Sequence, residues 1–516
     1  MKVKYILYCT VFCLNVSISF GQLNLIEQSK NKLVFSLDQK GHFKIVAKGI
    51  DSEFHYEDSL MTSIRSNFTL KDLDPASLYS ISIYKDHEAI ESGIYVTESN
   101  SSGEIKHYFN HSILDGKTGD IEPNGTTFSE CEKAIRDLIN GAKKTIDYCA
   151  YNTNVASIVN ALIDASNRGV RVRVIADNST SNTALKGSLP FEVSYDNSGG
   201  LMHNKFIVVD ESIEQSAWLV TGSMNFTTTQ MKTDPNHLIF IQDQSLSKAY
   251  TIEFEEMWGS NNEMPNKNIA KFGGAKKDNT PHEFTINGIK IESYFSPSDN
   301  TSSKIINVIK KANETIDLGL LIFTYNEIKD NLIDRLNEGV AIRGIIDDTD
   351  DSFENITAIN NNGGNIINDP SSSIFHYKMG VFDAGLKNSD PTVITGSHNW
   401  TFSAETRNDE NILIIHDQKI TDLYSRALGF FFQKWLTDIE EIYREVFVFP
   451  NPASDFLFIK NGEYKSILIR DINGRIILKE EDKHSQTIDI SSFNKGLYTI
   501  EIDLQHEKIF TKFIKL

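Results

Sequence analysis

An internal repeat is the feature of this 516-residue chain that most restricts its fold. Residues 134–147 and 305–317 both place apolar residues at helical spacing and end in Thr-Ile-Asp, which predicts a helix that runs into a strand. In each copy a second helix follows and stops before a glycine, and a buried strand comes next, over residues 170–177 and 340–347. Helices that alternate with strands predict two α/β lobes, each with a sheet covered on its faces.

The beginning of the chain has the pattern of a secretory signal. Two lysines precede a mostly apolar run from Ile6 to Phe20, and Gly21 offers a small residue for cleavage. This run is short and interrupted by polar residues, so it does not read as a membrane span, and no later stretch does. The sequence therefore predicts a signal peptide over residues 1–21 and a chain that is secreted or held at the outer cell surface.

Two further regions alternate in the manner of β-strands and flank the repeat. In the first, Leu73, Pro75 and Tyr79 resemble the corner motif of fibronectin type III-like sandwiches, in which a tyrosine holds the turn between sheets. The second opens with Pro-Asn-Pro at residues 450–452 and ends in a basic strand. It resembles the C-terminal sorting domain of the type IX secretion pathway, which implies the type IX machinery as a partner. An ordinary β accessory module is the alternative.

The predicted architecture is therefore multidomain, with a two-lobed α/β core between an N-terminal β-sandwich and a small C-terminal all-β domain. A polar stretch that contains two adjacent glycines predicts a linker between the lobes. The predicted boundaries are a signal peptide at 1–21, a β-sandwich at 22–105, lobe 1 at 106–260, the linker at 261–288, lobe 2 at 289–440 and the C-terminal domain at 446–516.

Each lobe carries the same short motif, H-x-K-x4-D, followed by G-S-x-N. In lobe 1 these residues are His203, Lys205, Asp210, Ser223 and Asn225, and in lobe 2 they are His376, Lys378, Asp383, Ser397 and Asn399. A His and a Lys two residues apart on a strand project from the same face. A buried ammonium needs a partner, so this face is better suited to a cleft that binds an anion than to a core.

The two motifs resemble those of the phospholipase D superfamily, whose members pair two such lobes about a pseudo-twofold axis. The resemblance covers residues ~106–440. It implies one shared site that cleaves a phosphodiester through a covalent phosphohistidine, with His203 as nucleophile and His376 as general acid, although the reverse order remains open. Lys205 and Lys378 would then hold the phosphate as point charges.

The other motif residues receive supporting roles. Asn225 and Asn399 would donate hydrogen bonds from their amides, and the two serines would shape the turns. Asp210 and Asp383 fall where each strand should end, so we expect them to support the site rather than to touch substrate. Glu410 follows the family pattern, and its carboxylate can orient a histidine, whereas lobe 1 departs from that pattern. Residues 234–237 of lobe 1 hold no such glutamate. His237 could orient a catalytic histidine, but a structural role is favoured.

The net charge of the chain and the residues of its first motif favour different substrates. The formal net charge of −19 argues against binding along a polyanion, which favours phospholipid headgroups as substrate. The segment from Met202 to Asp210 also resembles the compact nuclease branch of the superfamily, so a secreted, metal-independent nuclease is the alternative. A non-catalytic surface-binding protein is an alternative of another class. No metal-ligand or nucleotide-binding spacing is present, so the sequence predicts no metal and no cofactor.

The sequence leaves several points open. Cys131 and Cys149 remain after signal cleavage, and their spacing does not decide whether they form a disulfide. The oligomeric state is equally undetermined. Trp400 directly follows Asn399 and could line the substrate channel. The apolar residues that precede the two histidines could meet acyl chains or belong to strand cores; these are Leu201, Met202, Ile374 and Phe375.

Overall fold

The computed structural model describes residues 23–62, 65–196, 199–347, 349–386, 388–443, 447–449, 451–460, 465–472, 474–481, 487–503 and 508–516. The predicted signal peptide, residues 1–21, lies outside the described residues. The chain divides into two compact units between Gly429 and Phe430. In the described parts of the chain, no helix has both the length and the apolar character needed to cross a bilayer.

The N-terminal region consists of antiparallel strands in two sheets, ordered β1-β2-β5 and β4-β3-β6-β7. Their bounds are β1 (Leu23–Ser29), β2 (Lys32–Leu37), β3 (Gly41–Gly49), β4 (His55–Thr62), β5 (Ser66–Lys71), β6 (Leu78–Lys85) and β7 (Glu88–Val96). One apolar cluster contains Phe35 from the first sheet and Ile45 from the second. The Tyr79 hydroxyl accepts a hydrogen bond from the Asp74 backbone N–H at 3.0 Å. The fibronectin type III-like assignment stays a prediction.

Lobe 1 is a mixed sheet with helices packed against it, in the order β11-β10-β9-β12-β13-β14-β8. Its elements are β8 (Ile105–Phe109), α1 (Phe128–Gly141), β9 (Thr145–Ala150), α2 (Ala156–Asn167), β10 (Arg171–Ala176), β11 (Glu192–Tyr195), β12 (Lys205–Val209), β13 (Trp218–Gly222), α3 (Thr228–Lys232), β14 (His237–Gln242) and α4 (Gln244–Trp258). Strands β9, β10 and β11 run parallel, and β12 joins β9 antiparallel.

Lobe 2 repeats this sheet and adds one edge strand, in the order β15-β16-β22-β21-β20-β17-β18-β19. Its elements are β15 (Glu283–Ile286), β16 (Ile289–Ser296), α5 (Thr301–Lys311), β17 (Thr315–Leu320), α6 (Asn326–Asn337), β18 (Ala341–Ile346), α7 (Thr349–Asn361), β19 (Asn365–Asn368), β20 (Lys378–Phe382), β21 (Thr392–Gly396), α8 (Phe402–Thr406), β22 (Glu410–His416) and α9 (Gln418–Tyr443). The structure therefore confirms the predicted repeat of two α/β lobes.

The same physical pattern builds both lobes. Helix α1 buries Ile135 and Ile139 and helix α5 buries Ile305 and Ile309, one turn apart in each case, against the apolar core beside the sheet. The chain reverses after α2 and α6 through glycines with positive φ, which L side chains rarely adopt. Cys131 and Cys149, on α1 and β9, are buried free thiols and do not form a disulfide with each other.

The segment between α4 and β15, residues 259–282, joins the lobes. Strand β15 begins at Glu283 and pairs with β16, so part of the stretch predicted as a linker belongs to the sheet of lobe 2. The sequence did not reveal this strand, because β15 is a four-residue edge strand in a polar stretch and buries only alternate side chains.

The C-terminal unit begins with the end of helix α9, and its described residues from Phe447 onward form β-strands in two sheets. Its sheets are ordered β23-β24-β27 and β26-β25-β28-β29. The strands are β23 (Phe447–Phe449), β24 (Phe456–Lys460), β25 (Ser466–Asp471), β26 (Ile476–Glu481), β27 (Thr487–Asp489), β28 (Gly496–Asp503) and β29 (Lys508–Lys515). Leu457 of the first sheet and Ile500 of the second share one apolar cluster.

Candidate active site

The two His-Lys pairs occupy equivalent places at the start of a central strand. Lys205 opens β12 opposite Ala150, and Lys378 opens β20 opposite Leu320, the last residue of the neighbouring strand in each lobe. Each histidine lies two residues earlier. All four side chains are buried, since both histidines are 5% exposed and the lysines 0% and 1%. Two ammonium groups are thus brought into the protein interior, where an anion would be strongly favoured.

Each histidine is held by groups from the opposite lobe. The Nδ1 atom of His203 lies 2.7 Å from Oε2 of Glu410, which opens β22 of lobe 2. The Nδ1 atom of His376 lies 3.1 Å from the backbone oxygen of Ser223 and 3.1 Å from Oδ1 of Asn236, both in lobe 1. These acceptors favour a proton on Nδ1 and a lone pair on Nε2 in both rings. In His376 the Lys378 side-chain nitrogen, 3.3 Å from Nδ1, opposes this preference.

Asn236 replaces the carboxylate that the sequence pattern lacks in lobe 1. It follows Ser223 by the same 13 positions by which Glu410 follows Ser397. The amide is oriented by its own contacts, because Nδ2 donates to the Gln230 side chain at 3.1 Å and to the Asp234 backbone at 3.0 Å. Its Oδ1 therefore faces His376. Sequence reasoning missed Asn236, and this shared register was the signal that could have revealed it.

The main chain joins the lobes at the same two places. The backbone N–H of His203 donates to the oxygen of Asp409 at 2.9 Å, and that of His376 donates to the oxygen of Pro235 at 3.1 Å. Both histidines are thus held by backbone and side chain of one short segment in the other lobe. The two motifs form one centre rather than two separate ones.

Charges within this centre act on one another. Burial lowers the pKa of His203 to about 4, with Glu410 opposing the shift and the two lysines adding to it. The pKa of His376 is lowered well below its usual value by burial first, then by Lys378, Lys205 and His203. Burial also lowers the pKa of Lys205 to about 7 and that of Lys378 far below the usual value. Burial therefore disfavours the charged forms of the histidines and lysines in the centre, and a bound phosphate anion would favour the charged lysines.

Tyr151 is a further component that sequence reasoning missed. Its ring packs edge-on against His203, with centroids 4.6 Å apart, and the Lys205 ammonium lies 5.0 Å from the ring centroid. The equivalent residue in lobe 2 is Leu321, because the backbone N–H of each donates to the residue between the His and the Lys. The signal in the sequence was an aromatic residue directly after a buried strand.

The G-S-x-N segments supply turns and amides. The Oδ1 atoms of Asn225 and Asn399 are buried, and among the described residues they have no hydrogen-bond partner, so each amide presents an unpaired acceptor. Ser223 donates to Oδ1 of Asn236 at 2.9 Å, and Ser397 accepts from the backbone N–H of Asn411 at 3.0 Å. The glycine before each serine has a positive φ and lies against the backbone of the next strand, where a Cβ would meet an oxygen at 2.4 Å in lobe 1 and 2.2 Å in lobe 2.

Asp210 and Asp383 lie at the far ends of β12 and β20, away from the histidines. The Asp210 carboxylate accepts backbone hydrogen bonds at 2.6–3.1 Å from the three residues that lead into β9. Asp383 does the same at 2.7–3.0 Å before β17. Both adopt a φ of 53°. These contacts tie the central strand to its neighbour, and the roles of both residues remain proposals.

Three further residues near the motifs, His237, His398 and Trp400, lie in the interior. His237 is buried between the lobes, where it hydrogen-bonds Thr395 and stacks on Tyr377. His398 is buried 3.6 Å from Glu405. Trp400 is 0% exposed within the core of lobe 2, so the suggestion that it lines a channel is wrong. Among the described residues no group of His, Cys, Asp or Glu side chains is arranged to hold a metal ion.

Comparisons with known proteins identify the family of the two lobes. Two repeated α/β lobes that share one paired His-Lys centre define the class of two-motif proteins indicated by the sequence. A family model described as "Cardiolipin synthase, PLD-like domain" matches residues 135–258 and 305–429. The chain belongs to the phospholipase D superfamily. A second model, "Secretion system C-terminal sorting domain", matches residues 447–516.

Individual relatives cover parts of the chain. "Mitochondrial cardiolipin hydrolase" of Xenopus tropicalis is 34% identical over 126 residues, which are 23% of this chain and 58% of the relative. "Phospholipase D" of Rickettsia felis is 33% identical over 159 residues, which are 30% of this chain and 74% of that protein. The chain thus matches little more than half the length of the first relative.

Solved structures that are similar to the chain include a synthase and a phospholipase D family member. The phosphatidylserine synthase of Haemophilus influenzae has a TM-score of 0.43 at 13% identity and covers 65% of this chain and 86% of its own. The phospholipase D family member NUC from Salmonella typhimurium has a TM-score of 0.25 at 26% identity, with coverages of 28% and 93%.

Proposed function

We propose that this chain is a phosphodiesterase of the phospholipase D type that works through a covalent phosphohistidine. One observation carries the proposal. The Nδ1 atoms of two buried histidines are both engaged by the opposite lobe, at 2.7 Å and 3.1 Å, which leaves two Nε2 atoms for one substrate. Attack at phosphorus needs a nucleophile, a proton for the leaving oxygen and positive charge around the phosphate.

His203 is the nucleophile in this proposal. Burial keeps its ring neutral at neutral pH, and the hydrogen bond to Glu410 leaves the lone pair on Nε2. As the Nε2–P bond forms, the ring becomes positively charged, and the Glu410 carboxylate stabilises this charge. The bond from phosphorus to the leaving oxygen breaks, and that oxygen takes the proton from Nε2 of His376.

His376 then acts in the opposite direction. Its Nε2 removes a proton from water, the resulting hydroxide attacks phosphorus, and the P–N bond breaks to release a phosphomonoester and restore His203. Burial and the neighbouring cations lower the pKa of free His376. A bound phosphodiester anion raises that pKa, because it offsets the lysines, so substrate itself favours the protonated acid. Lys205 and Lys378 hold the non-bridging oxygens, with the amides of Asn225 and Asn399 beside them.

Phospholipid headgroups are the proposed substrate. The net charge of −19 disfavours approach of a polyanion. Of the four apolar residues that precede the histidines, Met202 and Phe375 are buried strand neighbours, whereas Ile374 is 45% exposed two residues before His376. Relatives named phospholipase D and cardiolipin hydrolase give further support.

The test is a parallel assay of the purified chain on vesicles of phosphatidylcholine, phosphatidylethanolamine and cardiolipin, and on single- and double-stranded DNA. We expect release of headgroups, no brisk DNA cleavage, and no effect of EDTA on the rate. The His203→Ala variant is the control for contaminating activity. Brisk DNA cleavage with intact phospholipids would instead assign the chain to the nuclease alternative, and inactivity on every substrate would favour a binding protein.

We propose further that the enzyme acts outside the cell after type IX export. The match of residues 447–516 to a secretion sorting domain supports this. A chain truncated before Phe447 should retain its activity in lysates but accumulate inside the cell, as shown by fractionation and immunoblotting. Appearance of the truncated chain outside at the normal level would contradict the proposal.

A further inference from the structure

The segment between the lobes contains a buried charge that its composition does not predict. Residues 259–282 are polar and include Gly273 and Gly274, which is typical of a solvated linker. The Lys276 side chain is nevertheless 0% exposed. Burial of an ammonium is costly unless it is paired and hydrogen-bonded, so a buried lysine in such a segment requires specific partners.

Those partners come from both lobes. Lys276 forms an ion pair with Glu253 of α4 in lobe 1 and another, at 3.1 Å, with Asp409 of lobe 2. It also donates to the backbone oxygen of Ser296 at 3.0 Å. The backbone N–H of Gly273 donates to the same Asp409 carboxylate at 2.8 Å. The segment therefore grips the Asp409 side chain at two points.

Asp409 is directly connected to the proposed nucleophile. Its backbone oxygen accepts from His203 at 2.9 Å and its N–H donates to Leu201 at 2.8 Å. The next residue is Glu410, whose carboxylate lies 2.7 Å from the His203 ring. The dipeptide Asp409-Glu410 thus hydrogen-bonds both the main chain and the imidazole of His203. Lys276 contacts the Asp409 side chain of this dipeptide.

The other half of the centre has no equivalent device. The position equivalent to Asp409 is Pro235, 12 residues after Ser223 as Asp409 is 12 residues after Ser397. Pro235 accepts the backbone hydrogen bond from His376, but it has no charged side chain. The brace therefore serves the His203 side alone.

We propose that Lys276 is a positioning residue that fixes the geometry of the His203–Glu410 pair through Asp409. The inference rests on the proposed function, because it assigns a role within the same centre. Without the ammonium, the buried carboxylates of Glu253 and Asp409 face each other without a cation. Asp409 then shifts or takes up a proton, and Glu410 moves with it. Displacements of about 1 Å in such supports reduce turnover by up to about 100-fold.

The test is the Lys276→Met variant, assayed with bis(4-nitrophenyl) phosphate, a phosphodiester that is independent of the natural substrate. We expect kcat to fall about 10- to 100-fold while KM stays within about two-fold. The acid limb of kcat/KM should move to lower pH, because a loosened Glu410 no longer raises the pKa of His203. The groups that act on this ring are Glu410, Lys205 and Lys378.

A matched control separates positioning from stability. Arg173 is another fully buried cation, paired with Asp147 at 2.7 Å and with Glu255 of the same helix α4, but it lies outside the centre. Arg173→Met should lower the melting temperature and leave kcat and the pH profile of the folded enzyme unchanged. If Lys276→Met does not fold, adding Glu253→Gln removes one uncompensated carboxylate and allows the same assays.

A measurement without substrate keeps the two proposals distinguishable. In ¹⁵N-histidine-labelled protein, the ¹⁵N and proton shifts of His203 report its hydrogen bond to Glu410, and we expect them to change in Lys276→Met but not in Arg173→Met. Unchanged His203 shifts, or a folded Lys276→Met enzyme with wild-type kcat and pH limb, would overturn the positioning role. Lack of turnover by the wild-type chain together with shifted His203 signals would count against the proposed function alone.

Discussion

The two halves of the centre share a motif but differ in what stands behind the histidine. His203 is backed by a carboxylate, whereas His376 is backed by a backbone oxygen and an amide oxygen. A carboxylate stabilises an imidazole that must carry positive charge in a covalent intermediate, and neutral oxygens leave a proton easier to release. In the proposed mechanism, residues outside two near-identical motifs give their histidines opposite chemical roles.

The largest expected effect tests whether the halves form one unit. His203→Ala and His376→Ala should each reduce kcat by more than about 10³-fold, and the double variant should be no worse, because groups that act together lose their effect together. Turnover of bis(4-nitrophenyl) phosphate by purified proteins measures this. Half the activity in either single variant would mean two independent sites.

Removal of the carboxylate should weaken one half selectively. In Glu410→Gln the phosphohistidine loses its countercharge, so we expect kcat to fall about 10- to 100-fold. Glu410 raises the pKa of His203, so its loss lowers that pKa and moves the acid limb of kcat/KM to lower pH. Glu405→Gln is the matched control, since this largely buried lobe 2 carboxylate binds Ser302 outside the centre. Equal effects of both variants would contradict the assigned role.

Asn236→Asp should make the two halves alike. A carboxylate beside Nδ1 raises the pKa of His376, so the protonated acid persists to higher pH and the alkaline limb of kcat moves up by about one unit or more. We expect the maximal rate to change only a few-fold, because a stronger hold on the proton opposes its transfer. A pH–rate profile measures both quantities. A shift confined to the acid limb would show that His376 is the nucleophile instead.

The smallest effect concerns the aromatic ring found on one side alone. Tyr151→Leu places leucine on both sides, as at Leu321, and removes the ring below the Lys205 ammonium. A cation–π contact of about 1 kcal/mol predicts a loss of about five-fold in kcat/KM. Tyr151→Phe keeps the ring and should remain near the wild-type value. An equal loss in both variants would assign the effect to the hydroxyl group.

Periodicity and repetition were enough to predict the lobes. The helices that contain Ile135 and Ile305 bury apolar residues one turn apart, and such local patterns are written directly in the sequence. The His-Lys pairs and Glu410 were also predictable, because they recur at fixed spacing or carry a charge that stands out. Asn236 was not found, because a neutral amide gives no such signal.

The exchange of supports between lobes was beyond sequence reasoning. Which lobe supplies the partner of His203 depends on how two sheets pack, and no local pattern encodes that packing. Lys276 was missed for a related reason, since the residues around it are polar and only the burial of its own side chain distinguishes it from a solvated lysine. The prediction for Trp400 was wrong in the opposite sense, because a residue next to a site residue was expected at the channel and is buried in the core. Adjacency in sequence does not decide which way a side chain points.

The reciprocal backing of the histidines has a consequence for how such a chain can change over generations. A duplicated repeat usually accumulates substitutions freely when the other repeat performs the function alone. Here the first repeat depends on Glu410 in the second, and the second depends on Asn236 in the first. We expect a substitution that displaces Glu410 or Asn236 in one repeat to impair the histidine of the other repeat as well. Selection must therefore retain both repeats together, although the chemical roles of their histidines can differ.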